Sequence, residues 1–181
     1  MLRFIYSLLK KSKASDVHTG VSVPLPRELS AEQTRALDLL LSDLFAHLPE
    51  AVANAAASRV RKLFFAGESF STALLNSAED GEPLVYLSVD INDSESASGF
   101  ATDLCQSHGL LPPIQIDFSG KSVSDILCEL DICLSGRGYR LVKNTDVDWA
   151  FEGFIAAESR ANSMVETAAL LGVRLALGCQ E

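Results

Sequence analysis

Basic residues are scarce in this chain, with 15 Lys and Arg against 24 Asp and Glu and a formal charge of −9. Non-specific nucleic-acid binding depends on clustered cations that neutralise phosphates, so that class of function is excluded first. Cysteine is equally sparing. Cys105, Cys128, Cys133 and Cys179 form no CxxC pair and are too few for a disulfide-built scaffold. Cys128 and Cys133 lie five positions apart on one expected helix, about 140° apart around its axis, so they do not face each other. The spacing predicts small buried hydrophobes in a reducing compartment and no zinc site. Nucleotide and hydrolase signatures are missing too. SGRGYR (135–140) places its glycines after a helix and lacks GxxxxGK[ST], and no serine lies in GxSxG. Gly136 or Gly138 reads better as a helix stop. No apolar run reaches the roughly 20 residues that cross a bilayer, and neither an internal repeat nor a low-complexity tract is visible.

What remains is the composition of a folded globular protein, 48% hydrophobic and 22% charged. An acidic surface keeps such a protein soluble, or draws it to a basic partner. The opening MLRFIYSLLKKSK puts Leu2, Ile5, Tyr6 and Leu9 on one helical stripe, followed by Lys10, Lys11 and Lys13. The charge follows the apolar stretch and no small-residue cleavage site appears, which argues against a secretory signal. Residues 1–13 therefore read as a short helical segment that docks on its own domain or is disordered, with contact to a membrane surface or a partner as the alternative, and the expected location is the cytoplasm.

Three segments are expected: a short helix and linker (1–27), a helical subdomain packed on the main domain (28–78), and an α+β sheet domain (79–181). Ser30 and Gln33 form a capping box, and Leu37, Leu40, Leu41, Leu44 and Leu48 follow at helical spacing. Pro49 opens a second helix that stops at Gly67, and a shorter helix covers 69–76. PLVYLSVD (83–90) reads as a strand and Glu95–His108 as a helix, with Asp93 or Ser94 as its cap and Gly109 just past its end. From 113 to 178 the pattern runs strand–helix–strand–strand–helix–strand: IQIDF, SVSDILCELDICLSG, YRLVKN, WAFEGFIAAE, SRANSMVETAALLG, VRLALG. This is the order of a ferredoxin-like split βαβ unit with two helices on one sheet face. The strand and helix at 84–108 extend it, and the N-terminal helical hairpin completes an α+β fold. In WAFEGFIAAE both faces carry an aromatic residue, which predicts a strand covered on both sides.

LVYLSVD (84–90), GYRL (138–141), TDVDWAFEGF (145–154) and AALLGVRLAL (168–177) together make residues 80–178 resemble an uncharacterised family of small bacterial cytosolic domains, a domain of unknown function. The resemblance implies a shared fold and a bacterial intracellular setting. It brings no activity and no catalytic residue, and it leaves residues 1–78 outside.

Two acidic constellations are candidates for chemistry. Asp90 and Asp117 near the ends of two strands, with Asp93 between, would offer oxygens to a hard divalent cation if those strands were parallel neighbours. The bland reading of Asp93 is a helix cap. Asp146 and Asp148 lie in the connection between two strands, where NTD is good turn chemistry. With Trp149 and Glu152 they form the second candidate, a protein-binding loop in which Trp149 is an anchor if it reaches the surface, and a core residue otherwise. His47 and His108 fall near helix C-termini, where a positive imidazolium is favoured. A Cys105–His108 dyad is disfavoured because Cys105 belongs to the core stripe.

The leading expectation is a non-enzymatic acidic interaction protein, most concretely a bacterial immunity or inhibitor protein that occludes a basic toxin. Acidic groups at 90–95, 125–131 and 146–152 would steer and seat that partner. The alternatives are a metal- or small-ligand-binding enzyme using strand-end carboxylates, and a self-associating ferredoxin-like regulatory domain, monomer or homodimer. No catalytic set and no cofactor is expected, nor a nucleic-acid partner or a transmembrane segment.

Overall fold

The computed structural model describes residues 25–110 and 120–178. Its helices are α1 (Ala31–Leu44), α2 (Glu50–Phe65), α3 (Phe70–Ser77), α4 (Ser94–Ser107), α5 (Val123–Ser135) and α6 (Glu158–Leu170). Its strands are β1 (Leu87–Asp90), β2 (Tyr139–Asn144), β3 (Ala150–Ala157) and β4 (Leu175–Leu177). The local signals act where expected. Ser30 and Gln33 close a reciprocal capping box on α1, and Asp93 accepts from Ser96 N at the start of α4. Ser69 and Ser122 cap α3 and α5 through their hydroxyls. Each satisfies a backbone N–H that the first helical turn leaves without an intrahelical partner. Gly109 follows α4 with φ 66°, a conformation that costs glycine little.

The strands form one antiparallel sheet in the order β1-β3-β2-β4. The β2–β3 hairpin is its centre, running from Tyr139 opposite Ala157 to Asn144 opposite Glu152. β1 joins β3 only from Leu87 to Asp90, so the predicted strand at 83–90 enters the ladder over its second half. The strand expected at IQIDF lies outside the described residues.

β3 is buried along nearly its whole length, and alternate residues serve different layers. Phe151 and Ile155 join Leu87, Val89 and Leu141 against α4 and α5, where Leu104, Ile126, Leu127, Leu130 and Leu134 supply the other wall. Phe154 and Ala156 join Val142 on the opposite face. There they meet Ala161, Met164 and Ala168 of α6, together with the apolar sides of α1, α2 and α3. The architecture is therefore three layers, α/β/α. The two helices expected on one sheet face, α5 and α6, cover opposite faces. The reason is in the strands: Leu141 and Val142 are adjacent, both fully buried, and point opposite ways, so each face needs its own helical cover.

α1–α3 share one continuous core with α6 and the sheet. Among the described residues no helix is long and apolar enough to cross a membrane. Cys105 and Cys133 are free thiols, whereas Cys128 is disulfide-bonded, contrary to the expectation of four reduced cysteines. Cys179 lies outside the described residues, as does the amphipathic segment 1–13.

Candidate interaction surface

At one end of the sheet β1 finishes beside the start of β3, with Asp90 opposite Ala150. The next residues continue the contact, since Ile91 N donates to Trp149 O at 3.4 Å. That pairing brings two large apolar side chains to the surface together: Trp149 is 67% exposed and Ile91 50%. Asp90, Asn92, Asp93 and Asp148, within two residues of one or the other in the chain, are exposed as well. Trp149 is thus a surface residue and not a core one.

The loop that carries Trp149 is clasped. Asp146 accepts from Arg174 N at 3.1 Å and from Arg174 Nε at 2.5 Å, and its own N–H donates to Asn144 Oδ1 at 3.0 Å. Thr145 N and Thr145 Oγ1 both donate to Arg174 O, at 2.9 and 3.2 Å. The Asp146 hydrogen bond, with its charge, raises the pKa of Arg174. Asp146 is therefore committed to holding the loop, whereas Asp148 is exposed, makes no ion pair among the described residues and only adds to the negative charge that Arg174 feels.

Glu152 is corrected outright. It is 3% exposed and sits on the sheet face covered by α1–α3 and α6, where no partner could reach it. Tyr86 Oη and Ser88 Oγ donate to its two oxygens at 3.1 Å each, and Asn144 Nδ2 approaches both Tyr86 Oη and Glu152. Burial, then the neighbouring Glu152, raises the Tyr86 pKa far beyond its ordinary value, so the phenol stays a donor. Sequence reasoning missed this cluster. Its one signal was a glutamate inside an otherwise apolar eight-residue strand.

Asp131 likewise leaves the expected acidic surface. It is buried, pairs with Arg140 through both oxygens at 3.1 and 2.9 Å, and accepts from Leu141 N at 2.7 Å. Asp125 caps α5, and Glu129 meets Lys121.

The metal expectation finds local uses for its carboxylates. Asp90 Oδ1 accepts from Asn92 N at 2.8 Å and from Asn92 Nδ2 at 3.1 Å, an Asx turn, and Asp93 caps α4. The hydrogen bonds from Ser96 hold the Asp93 carboxyl below its usual range. Asp117 lies outside the described residues. Among the described residues no three His, Cys, Asp or Glu gather as metal ligands.

His47 and His108 depart from the expected helix-end imidazolium. Their rings stack at 3.6 Å, with Tyr139 edge-on to His108, and both Nε2 atoms are buried without a hydrogen-bond partner. Burial, then the charge of His108, pushes His47 down to about 4, and burial also lowers His108. Desolvation outweighs the helix-end attraction, so both imidazoles are neutral at pH 7. Cys105 is no nucleophile: burial pushes its thiol up to about 11, and His108 Nδ1 contacts Leu104 O and Ser107 Oγ instead.

No family model matches this chain, and neither does any curated protein or solved structure.

Proposed function

We propose that the protein is a non-enzymatic binding protein that captures a basic protein partner through the Trp149 surface, a bacterial immunity or inhibitor protein being its most concrete form. The observation that carries this reading is the exposed Trp149–Ile91 pair, with exposed Asp90, Asp93 and Asp148 close to them in the chain and Trp149 at the end of a loop clasped by Asp146 and Arg174. Binding energy in protein interfaces concentrates in a few aromatic anchors, and charge around them sets orientation and encounter rate. The net charge of −9 supports a basic partner. Glu152 and Asp131 take no part because they are structural.

The test is affinity capture from a native lysate with three baits: wild type, Trp149→Ala, and the charge reversal Asp148→Lys. A basic polypeptide retained by wild type and lost or weakened at least about tenfold with Trp149→Ala supports the reading. Equal recovery by all three baits removes this surface from it.

A further inference from the structure

A cleft of about 680 Å3 opens where the α1–α2 corner, α3, the 78–86 segment and α4 meet, on a different part of the molecule from Trp149. Phe45, Leu48, Leu74 and Phe100 give it an apolar floor. Glu79, Asp80, Glu82 and Asp103 stand around it, and no Lys, Arg or His is among its lining residues.

The acidic rim is braced, and only part of it is neutralised. Arg59 reaches from α2 to both oxygens of Glu82 at 2.6 Å, to Ser77 O at 2.7 Å and to Glu79 at 3.4 Å. This fixes the 77–82 wall against the helices. Asp80 and Asp103 have no ion-pair partner among the described residues. Asp103 stands where this cleft adjoins a second, shallower depression over Gln106 and Ser107, and burial raises its carboxyl pKa. Asp103 is partly exposed at the junction of the two depressions, so a cation seated there gains a charge-assisted contact with it.

We propose that this cleft binds an organic cation with an apolar body, an alkylamine or arylalkylamine. Its hydrocarbon part lies on Leu48, Leu74 and Phe100, and its ammonium group sits at Asp103 on the acidic rim. The volume is in the range of small-molecule sites, about 300–1,000 Å3. An anion of the same shape meets like charge, a neutral analogue leaves the carboxylates uncompensated, and a bare metal ion gains nothing from the apolar floor.

Titration calorimetry of the full chain with octylamine, octanoate and octanol tests this directly. Octylamine binds saturably and about tenfold or more tighter than the other two, the factor expected of one charge-assisted contact. Asp103→Asn weakens octylamine at least about fivefold and leaves the thermal midpoint unmoved. Phe100→Ala weakens octylamine and octanol alike, which separates the floor from the rim. Raising NaCl from about 50 to about 500 mM weakens the wild-type amine complex and not that of Asp103→Asn. Equal affinity for amine and carboxylate, no saturable heat to about 5 mM, or an unchanged affinity in Asp103→Asn overturns the proposal.

Discussion

The two faces of the sheet are built on different principles. Toward α4 and α5 the contact is mainly hydrocarbon, leucine, isoleucine, valine and phenylalanine, which attract without regard to direction, with Asp131 of α5 as the buried charged exception, held by Leu141 N and Arg140. Toward α1–α3 and α6 the apolar layer encloses Glu152, Tyr86, Asn144 and the hydroxyl of Ser88 at the boundary. Hydrogen bonds are directional, and an unmatched buried group costs more than a made bond returns. The first face holds the sheet down; the second dictates which strand residues stand together. Glu152 lies opposite both Ser88 on β1 and Asn144 on β2, so one carboxylate checks the alignment of three strands.

The largest effect expected is at Gly153, between the two faces on β3. A Cβ there would lie 2.4 Å from Val142 O and 3.2 Å from Phe151 Cε1. Backbone cannot retreat as a flexible side chain does, so Gly153→Ala costs about 4 kcal/mol by urea unfolding. A loss under about 1 kcal/mol shows that β2 and β3 part easily, and dissolves the view of a rigid centre.

Next come matched substitutions on the two faces. Leu127→Ala on the hydrocarbon side costs about 3 kcal/mol and leaves a native-like spectrum. Glu152→Gln changes almost no volume and costs about 2 kcal/mol, because its NH2 faces a group that already donates. The sharper expectation concerns order: Glu152→Gln broadens amide NMR resonances across β1–β3–β2, and Leu127→Ala does not. The reverse pattern breaks the comparison.

The smallest effect is on pH. His47 binds protons less readily folded, at about 4, than unfolded, near 6.5. The unfolded chain therefore carries more protons between those values, and stability is complete above 6.5 and falls as the pH drops toward 4. His108 acts in the same direction. With solvent screening of these half-buried rings, the loss is on the order of 1–2 kcal/mol. Among the described residues the groups in contact are Tyr139, Ser107 and the carbonyls of Leu44, Leu104 and Ile155, none of them a carboxylate. His47→Phe keeps the stack and flattens the profile; an unchanged slope assigns it elsewhere.

Much of this architecture is written in local patterns. The Ser30–Gln33 box, the leucine stripe of α1, the Asp93 cap and Gly109 each act within four residues of themselves, and such signals survive folding intact. The two-sided burial of β3 was legible because aromatic residues alternate across it. The placement of α5 and α6 was not, since a periodic apolar stripe says that a helix packs and not on which side. Glu152 has a surface residue's chemistry in the sequence; only partners 64 and 66 positions upstream, Ser88 and Tyr86, make it a core residue. The His47–His108 stack has no local sign at all. At the candidate surface the turn chemistry of 144–146 was visible, whereas the Arg174 clasp, 28 positions away, was not.

That clasp has a thermodynamic consequence. A loop that must freeze as it meets another molecule surrenders part of its contact energy as lost entropy, and Asp146, Thr145 and Arg174 have already made that sacrifice during folding. Loosening it by Arg174→Ala therefore leaves every contact atom of Trp149 in place and still shortens the lifetime of any complex formed there.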